Sequence, residues 1–170
     1  MIFPSPRQRI YKLHYFDFII DSIFGKFNSN RYVKKLENTL AKDLNVKNIK
    51  SLYRGRLGIY LAVKSIINEK KKEIIMSPYT IFDVVNMVIC AGGKPVFVDI
   101  TIENFSPDLK EISKLYNKNT AGIIITHMHK SVKNIFEIKT FCENKKIKLI
   151  EDAAIVFGAS HKGQKLGTIA

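Results

Sequence analysis

Residues 147–168, IKLIEDAAIVFGASHKGQKLGT, decide the fold class of this chain. The segment opens with an apolar run, residues 147–151, whose length and Ile and Leu content predict a buried β-strand. An acidic pair, Glu151-Asp152, ends this run. The segment 156–168 then predicts a β-hairpin that turns at Lys162-Gly163. A buried apolar strand of this kind is typical of a parallel sheet.

The same alternation extends towards the N-terminus. Apolar strands are predicted at residues 74–76, 95–99 and 121–126, and a further strand at 48–53. Helical stretches separate the strands. The first is an amphipathic helix that is capped by Asn30 and runs to Leu44. Further helices are predicted at 57–66, at 81–91, at 134–146 and from the helix start Ser106-Pro107-Asp108, with Pro107 at the first helical position. Short strands alternating with amphipathic helices predict an α/β fold with a mostly parallel sheet covered on both faces.

Composition restricts the class of protein. The chain has 170 residues, of which 46% are hydrophobic and 25% are charged, so it is long and apolar enough to bury a core. The formal net charge of +13 indicates nucleic acid, an anionic membrane or a phosphorylated ligand as a partner. Cys90 and Cys142 lie far apart, which excludes a disulfide scaffold and a zinc ribbon. A reduced, cytoplasmic protein is therefore expected.

The N-terminal segment is aromatic but not a membrane span. Residues 10–27 are rich in Phe, Tyr and Ile, and charged residues interrupt them too often for a transmembrane helix. No small-residue cleavage site follows, which argues against a signal peptide. We predict that residues 1–29 are a packing or dimer-forming arm, with an interfacial membrane helix as the alternative. Residues 30–170 then form the α/β part.

Two segments could bind a ligand beyond the strand ends. The turn Arg54-Gly55-Arg56 precedes a helix, so the backbone at Gly55 and the helix N-terminus could hold a phosphate, with Arg56 adding a guanidinium contact. A tight turn with solvated arginines is the alternative. The pair Glu151-Asp152 could face a protonated ring nitrogen and keep it cationic. A helix cap or a structural ion pair explains such carboxylates equally well.

Aromatic and imidazole side chains follow two other strands. Tyr79 and Phe82 could stack on a planar ring, although aromatic residues at such positions are more often part of the core. His127 and His129 have a spacing that metal ligands can adopt, but no third ligand is placed beside them, so a structural or site-lining histidine is favoured.

Taken in order, these segments resemble the DegT/DnrJ/StrS group of PLP-dependent nucleotide-sugar aminotransferases, which have the fold-type-I aspartate aminotransferase architecture. The acidic pair followed by two alanines and the hairpin of residues 157–168 carry most of the resemblance. The other matching segments are residues 54–58, 77–80, 91–100 and 120–127. The chain would be the N-terminal part of the PLP-binding large domain, without the C-terminal remainder and small domain.

The resemblance implies a cofactor, pyridoxal 5'-phosphate, and a role for each matching residue. Gly55 and Arg56 would hold its phosphate, Asp152 would pair with its ring nitrogen, and Phe82 or Tyr79 would lie over the ring. The implied reaction moves an amino group, usually from glutamate, to a keto sugar carried on a nucleotide, as in polysaccharide biosynthesis. A homodimer of the full-length protein is also implied, with no nucleic acid or membrane partner.

The chain also departs from the family pattern. The turn that usually contains Ser-Gly-Thr is Arg54-Gly55-Arg56 here, and Ile81 replaces an aromatic residue. The lysine that carries the cofactor in this family would lie past Ala170. We therefore expect residues 1–170 alone not to catalyse amino transfer. Two alternatives stay open, namely a non-catalytic remnant that binds PLP or a partner, and a basic nucleic-acid-binding protein.

Overall fold

The computed structural model describes residues 16, 19, 20, 22–24, 30–103, 105–128 and 134–170. The chain forms two compact units, Met1–Ser51 and Leu52–Ala170. Most of the predicted arm, residues 1–29, lies outside the described residues and stays a prediction. In the part of the chain that is described, no helix is long and apolar enough to cross a membrane.

The first unit contains helix α1, Arg31–Leu44. It ends at Asn45, which adopts the left-handed conformation (φ 53°) that commonly terminates helices. The predicted cap is wrong in its mechanism, because the side chain of Asn30 makes no capping hydrogen bond to any described residue. Within the same unit, Glu37 accepts a hydrogen bond from the backbone N–H of Ser51 at 2.8 Å, which links the helix to the segment that follows it.

The second unit alternates helices and strands. In chain order its elements are α2 Gly55–Ile66, β1 Glu73–Met76, α3 Phe82–Cys90, β2 Lys94–Phe97, α4 Leu109–Leu115, β3 Thr120–Thr126, α5 Ile135–Lys145, β4 Lys148–Asp152, β5 Ser160–His161 and β6 Gln164–Lys165. The first four strands form one sheet in the order β2-β1-β3-β4, and every pair in it is parallel. The α/β prediction is confirmed.

Both faces of the sheet are covered, as the alternation of apolar residues in the strands requires. On one face, Ile74 of β1 and Ile124 of β3 pack with side chains of α2 and α3. On the other face, Ile75 and Ile123 pack with α4, α5 and the segment up to Ile169. These isoleucines are at most 1% exposed, and each fully buried one contributes about 1.5–3 kcal/mol to the free energy of unfolding.

Local differences from the sequence predictions have simple causes. Residues 46–54 are described and form no strand, so α2 follows an irregular segment. Helix α4 begins at Leu109, two residues after the expected first helical residue Pro107, because the Asp108 side chain accepts a hydrogen bond from the N–H of Lys110 at 2.8 Å and acts as the N-cap. The hairpin prediction is confirmed, since β5 and β6 are antiparallel and both Lys162 and Gly163 have positive φ.

Candidate functional site

A cavity of about 340 Å³ opens at the carboxyl edge of the sheet. Three elements build it: the start of α2, the start of α3 and the end of β4. Its lining residues are Arg54, Gly55, Arg56, Ile59, Ile81, Asp83, Val84, Asp152 and Ala154. Ligands of parallel α/β sheets bind at this edge, because the strand ends and helix N-termini meet there.

The start of α2 forms one wall of the cavity. The side chain of its N-cap residue, Arg54, makes no capping hydrogen bond, and its first turn contains no acidic residue. The N–H of Leu57 donates to the carbonyl of Arg54 at 3.1 Å, which leaves the N–H groups of Gly55 and Arg56 and the positive dipole end for a ligand. Apart from Gly55 itself, its two chain neighbours and the adjoining helix backbone, no described atom lies within 4 Å of the position that a Cβ on Gly55 would take. An anion can therefore approach the backbone at Gly55 closely.

Arg56 is already engaged by a residue that the sequence analysis did not single out. Its Nη2 atom lies 2.8 Å from Oδ2 of Asp83, in the first turn of α3. Both side chains are partly exposed, and both line the cavity. An acidic residue in the first turn of a helix is common, so no sequence signal connects Asp83 with an arginine in the preceding helix.

Asp152 also lines the cavity. It is the last residue of β4, and its backbone carbonyl accepts a hydrogen bond from the N–H of His127 at 3.0 Å. Its Oδ1 atom accepts a second hydrogen bond from the N–H of Ala154 at 3.2 Å. The carboxylate is partly exposed to the cavity and keeps acceptor capacity for a ligand.

The two members of the acidic pair have different surroundings. Asp152 lines the cavity, whereas the neighbouring carboxylate of Glu151 is buried and only 1% exposed. Oε2 of Glu151 lies 2.9 Å from Nε2 of His127. Successive side chains of a strand point to opposite sides, which explains the separation. Glu151 therefore forms a structural pair with His127, whereas Asp152 is placed where it can meet a ligand in the cavity.

The aromatic candidates lie outside the cavity lining. Phe82 is 76% exposed, and Tyr79 lies 6.1 Å from Phe105 between ring centroids. Ile81, from the same segment, lines the cavity instead. The structure thus brings Gly55, Arg56 and Asp152 together and leaves Phe82 apart from them, and the stacking role stays a prediction.

The histidine pair is only partly described. His127 is fully buried beside Glu151, whereas His129 lies outside the described residues. Within the described ranges, no group of three His, Cys, Asp or Glu residues could hold a metal ion.

Comparison with known proteins adds a family and a fold. The family model described as the DegT/DnrJ/EryC1/StrS aminotransferase family matches residues 19–170. The chain is 26% identical over 138 residues to GDP-perosamine synthase from Vibrio cholerae, an alignment that covers 81% of this chain and 38% of that protein. The chain therefore spans well under half the length of this relative.

Solved structures show the same partial coverage. The fold matches a structure described as GDP-4-keto-6-deoxymannose-3-dehydratase with a trapped PLP-glutamate geminal diamine, with a TM-score of 0.80 and 21% identity over 94% of this chain and 43% of that one. It also matches ntda from Bacillus subtilis with bound cofactor PMP, with a TM-score of 0.76 and 26% identity over 82% of this chain and 32% of that one. These matches confirm the predicted fold-type-I architecture.

Proposed function

The chain belongs to the DegT/DnrJ/EryC1/StrS aminotransferase family, and on that premise we propose that the whole protein is a pyridoxal-phosphate-dependent aminotransferase of sugar biosynthesis. Its substrate would be a keto sugar carried on a nucleotide, and its amino donor glutamate. The names of the relatives support this proposal, because they include GDP-perosamine synthase and a protein solved with a PLP-glutamate adduct.

The residues of the cavity fit the cofactor. The uncapped N-terminus of α2, with open space in front of Gly55, suits a phosphate dianion, and Arg56 lies in the same wall. Asp152 offers a carboxylate in the same cavity for a protonated ring nitrogen. When bound, pyridoxal phosphate withdraws electrons from the carbon that carries the amino group.

Each residue then has a physical task. The N–H groups of α2 and the Arg56 guanidinium would bind and orient the phosphate. Asp152 would hold a proton on the ring nitrogen, because a carboxylate close to a cation favours its charged form. The hydrogen bond from the N–H of Ala154 to Oδ1 of Asp152 limits rotation of this carboxylate. An aromatic residue over the ring, Phe82 or Tyr79, remains part of the proposal.

Further parts of the proposal concern the whole protein. The lysine that binds the cofactor would lie past Ala170, so residues 1–170 alone would not transfer an amino group. Residues 30–170 would be the N-terminal part of the large domain and residues 1–29 an arm. We also propose that the whole protein is a homodimer, that it is cytoplasmic, and that it has no nucleic-acid or membrane partner. The observation that carries the proposal is one cavity shared by the α2 N-terminus and Asp152 in a chain of this family.

Borohydride reduction of the whole protein, followed by peptide mass mapping, tests the proposal. We expect a pyridoxyl group on a single lysine, and none on Lys162 or Lys165 in the hairpin. The matched control is the same reduction without added pyridoxal phosphate after dialysis against hydroxylamine. A whole protein that retains no pyridoxyl group on any lysine would contradict the proposal and favour the non-catalytic remnant.

A further inference from the structure

A buried cluster lies directly behind the acidic wall of the cavity. His127 is fully buried and the Glu151 side chain is 1% exposed. Oε2 of Glu151 lies 2.9 Å from Nε2 of His127 and accepts from the N–H of Gly167 at 3.0 Å. Oε1 accepts from the N–H groups of Ile169 and Ala170 at 2.6 and 2.7 Å. The proposed chemistry uses none of these groups.

The partners of Glu151 determine its charge. Burial raises the pKa of this carboxyl. The hydrogen bonds from His127 and from the backbone of residues 167–170 together lower the pKa by more than burial raises it, so the net pKa is below the ordinary value. With a pKa below the ordinary value, the carboxyl is ionised at neutral pH, and both of its oxygens only accept hydrogen bonds. Nε2 of His127 therefore carries the hydrogen of this contact, and its N–H donates a hydrogen bond to Oε2 of Glu151.

His127 contacts both members of the acidic pair. Its backbone N–H donates to the carbonyl of Asp152 at 3.0 Å, one residue beyond the last paired position of β3 and β4, Thr126 with Asp152. Its imidazole holds Glu151, the residue before Asp152. One residue, directly after β3, thus holds both the side chain of Glu151 and the backbone carbonyl of Asp152.

We propose that His127 is a positioning residue for the Asp152 carboxylate, acting through its backbone bond to Asp152 and its imidazole bond to Glu151, which in turn anchors residues 167–170. Without the imidazole bond, the three remaining N–H donors do not offset the cost of burying the Glu151 carboxylate. The carboxylate then moves out of its buried position. Asp152 then loses its fixed orientation at the cavity wall. The ligand that Asp152 meets is the one of the proposed function, on which this inference rests.

The test compares two variants of His127 with a matched control in the whole protein. His127→Leu keeps the volume and removes the bond, while His127→Gln keeps an amide N–H at the position of Nε2. The control is Thr120→Val. Thr120 is also fully buried, lies at the opposite end of β3 and loses a hydrogen bond, from the N–H of Asn117 to Oγ1 at 3.1 Å.

The first measurement is amide hydrogen exchange in the cofactor-free protein. The N–H of Ile169 reports the anchor, and the N–H of Ala154 reports the orientation of Asp152, because it donates to Oδ1. We expect His127→Leu to accelerate both by about tenfold or more, and His127→Gln to restore most of the protection. Unchanged exchange at Ala154 in His127→Leu, or equal acceleration in Thr120→Val, would overturn the proposal.

The second measurement is the dissociation constant of pyridoxal phosphate, with the visible absorption band of the bound form as a spectroscopic signature. We expect His127→Leu to weaken binding by about tenfold and to shift the band, while Thr120→Val leaves both unchanged despite a lower Tm. Equal binding by His127→Leu and wild type would overturn the proposal. A wild-type protein that binds no pyridoxal phosphate contradicts the proposed function instead, and amide exchange then decides the positioning role alone.

Discussion

Arg56 and Asp83 join two helix N-termini across the wall of the cavity, with 2.8 Å between Nη2 and Oδ2. The two residues lie in the first turns of α2 and α3. Because both side chains are partly exposed, the ion pair contributes only about 0–1 kcal/mol. A phosphate dianion at the start of α2 can therefore compete with Asp83 for the Arg56 guanidinium. The competing charge of Asp83 lowers the affinity of Arg56 for the phosphate.

Arg56→Ala should weaken binding of pyridoxal phosphate to the whole protein by about 1.5–3 kcal/mol, the contribution of a charged hydrogen bond. Asp83→Asn should strengthen binding by a factor of about 2–5, because a competing negative charge is removed. Fluorescence titration measures both constants. Lys114→Ala is the control, since Lys114 forms an exposed ion pair with Glu111 and does not line the cavity. An affinity unaffected by Arg56→Ala would show that Arg56 does not contact the phosphate.

Asp152→Ala should remove nearly all amino transfer by the whole protein, because the other described carboxylate at the cavity, Asp83, lies beside Arg56, where the phosphate would bind, and not at the ring nitrogen. The measurement is formation of 2-oxoglutarate from glutamate with a nucleotide-linked keto sugar as acceptor. Asp99→Asn is the matched control, because Asp99 follows β2 and its Oδ1 accepts only from the local N–H of Ile100 among the bonds described. Substantial turnover in Asp152→Ala would contradict the assigned role.

The sequence was sufficient for the fold because its strong signals are local. Ile74, Ile124 and their neighbours form short apolar runs, which are typical of strands that are buried on both faces of a parallel sheet. The strand predicted at 48–53 is wrong, since no strand among the described residues pairs with this segment and β-propensity depends on that context.

The site was predictable only in part. Gly55 and Asp152 follow from their places at a helix start and a strand end, which fix position without knowledge of partners. The contact between Arg56 and Asp83 depends on how α2 and α3 pack, and the four hydrogen bonds of Glu151 depend on the path of the chain after the hairpin. Neither is encoded in the spacing of residues.

Glu151 should make the protein less stable in acid. Burial raises the pKa of its carboxyl, but the bonds from His127 and the backbone of residues 167–170 lower the net pKa below its ordinary value near 4.5. A group with a depressed pKa in the folded state contributes stability above the ordinary value, and that stability is lost as the pH falls through the depressed pKa. Glu73 also has a lowered pKa, through bonds from Asn117 and Lys94.

Urea denaturation between pH 7 and pH 3 isolates the contribution of Glu151. We expect Glu151→Gln to be less stable than wild type at pH 7 and the difference to shrink as the pH falls, because protonation removes the advantage of the carboxylate. Glu111→Gln is the control, since Glu111 is exposed in its pair with Lys114. Curves for wild type and Glu151→Gln that stay parallel over the whole range would mean that Glu151 does not titrate differently on folding.

Gly167→Ala should destabilise the protein through two separable effects. Gly167 has φ of 84°, which side-chain-bearing residues rarely adopt, and a Cβ there would lie 2.9 Å from the Cβ of Ala153, next to Asp152. The contact with Ala153 would force residues 167–170 away from Glu151 and weaken the hydrogen bonds that this carboxylate accepts from them. The loss in free energy of unfolding should therefore be the sum of a backbone-strain contribution and a contribution from these weakened hydrogen bonds.

Gly163→Ala is the matched control that separates the two effects. Gly163 has φ of 79°, but apart from Gly163 itself and its two chain neighbours no described atom lies within 4 Å of the place that a Cβ would occupy there. Backbone strain alone costs about 1–2 kcal/mol, so Gly163→Ala should lower the free energy of unfolding by that amount, and Gly167→Ala should lower it more. Equal losses in the two variants, measured by urea denaturation, would show that the backbone conformation alone matters at Gly167.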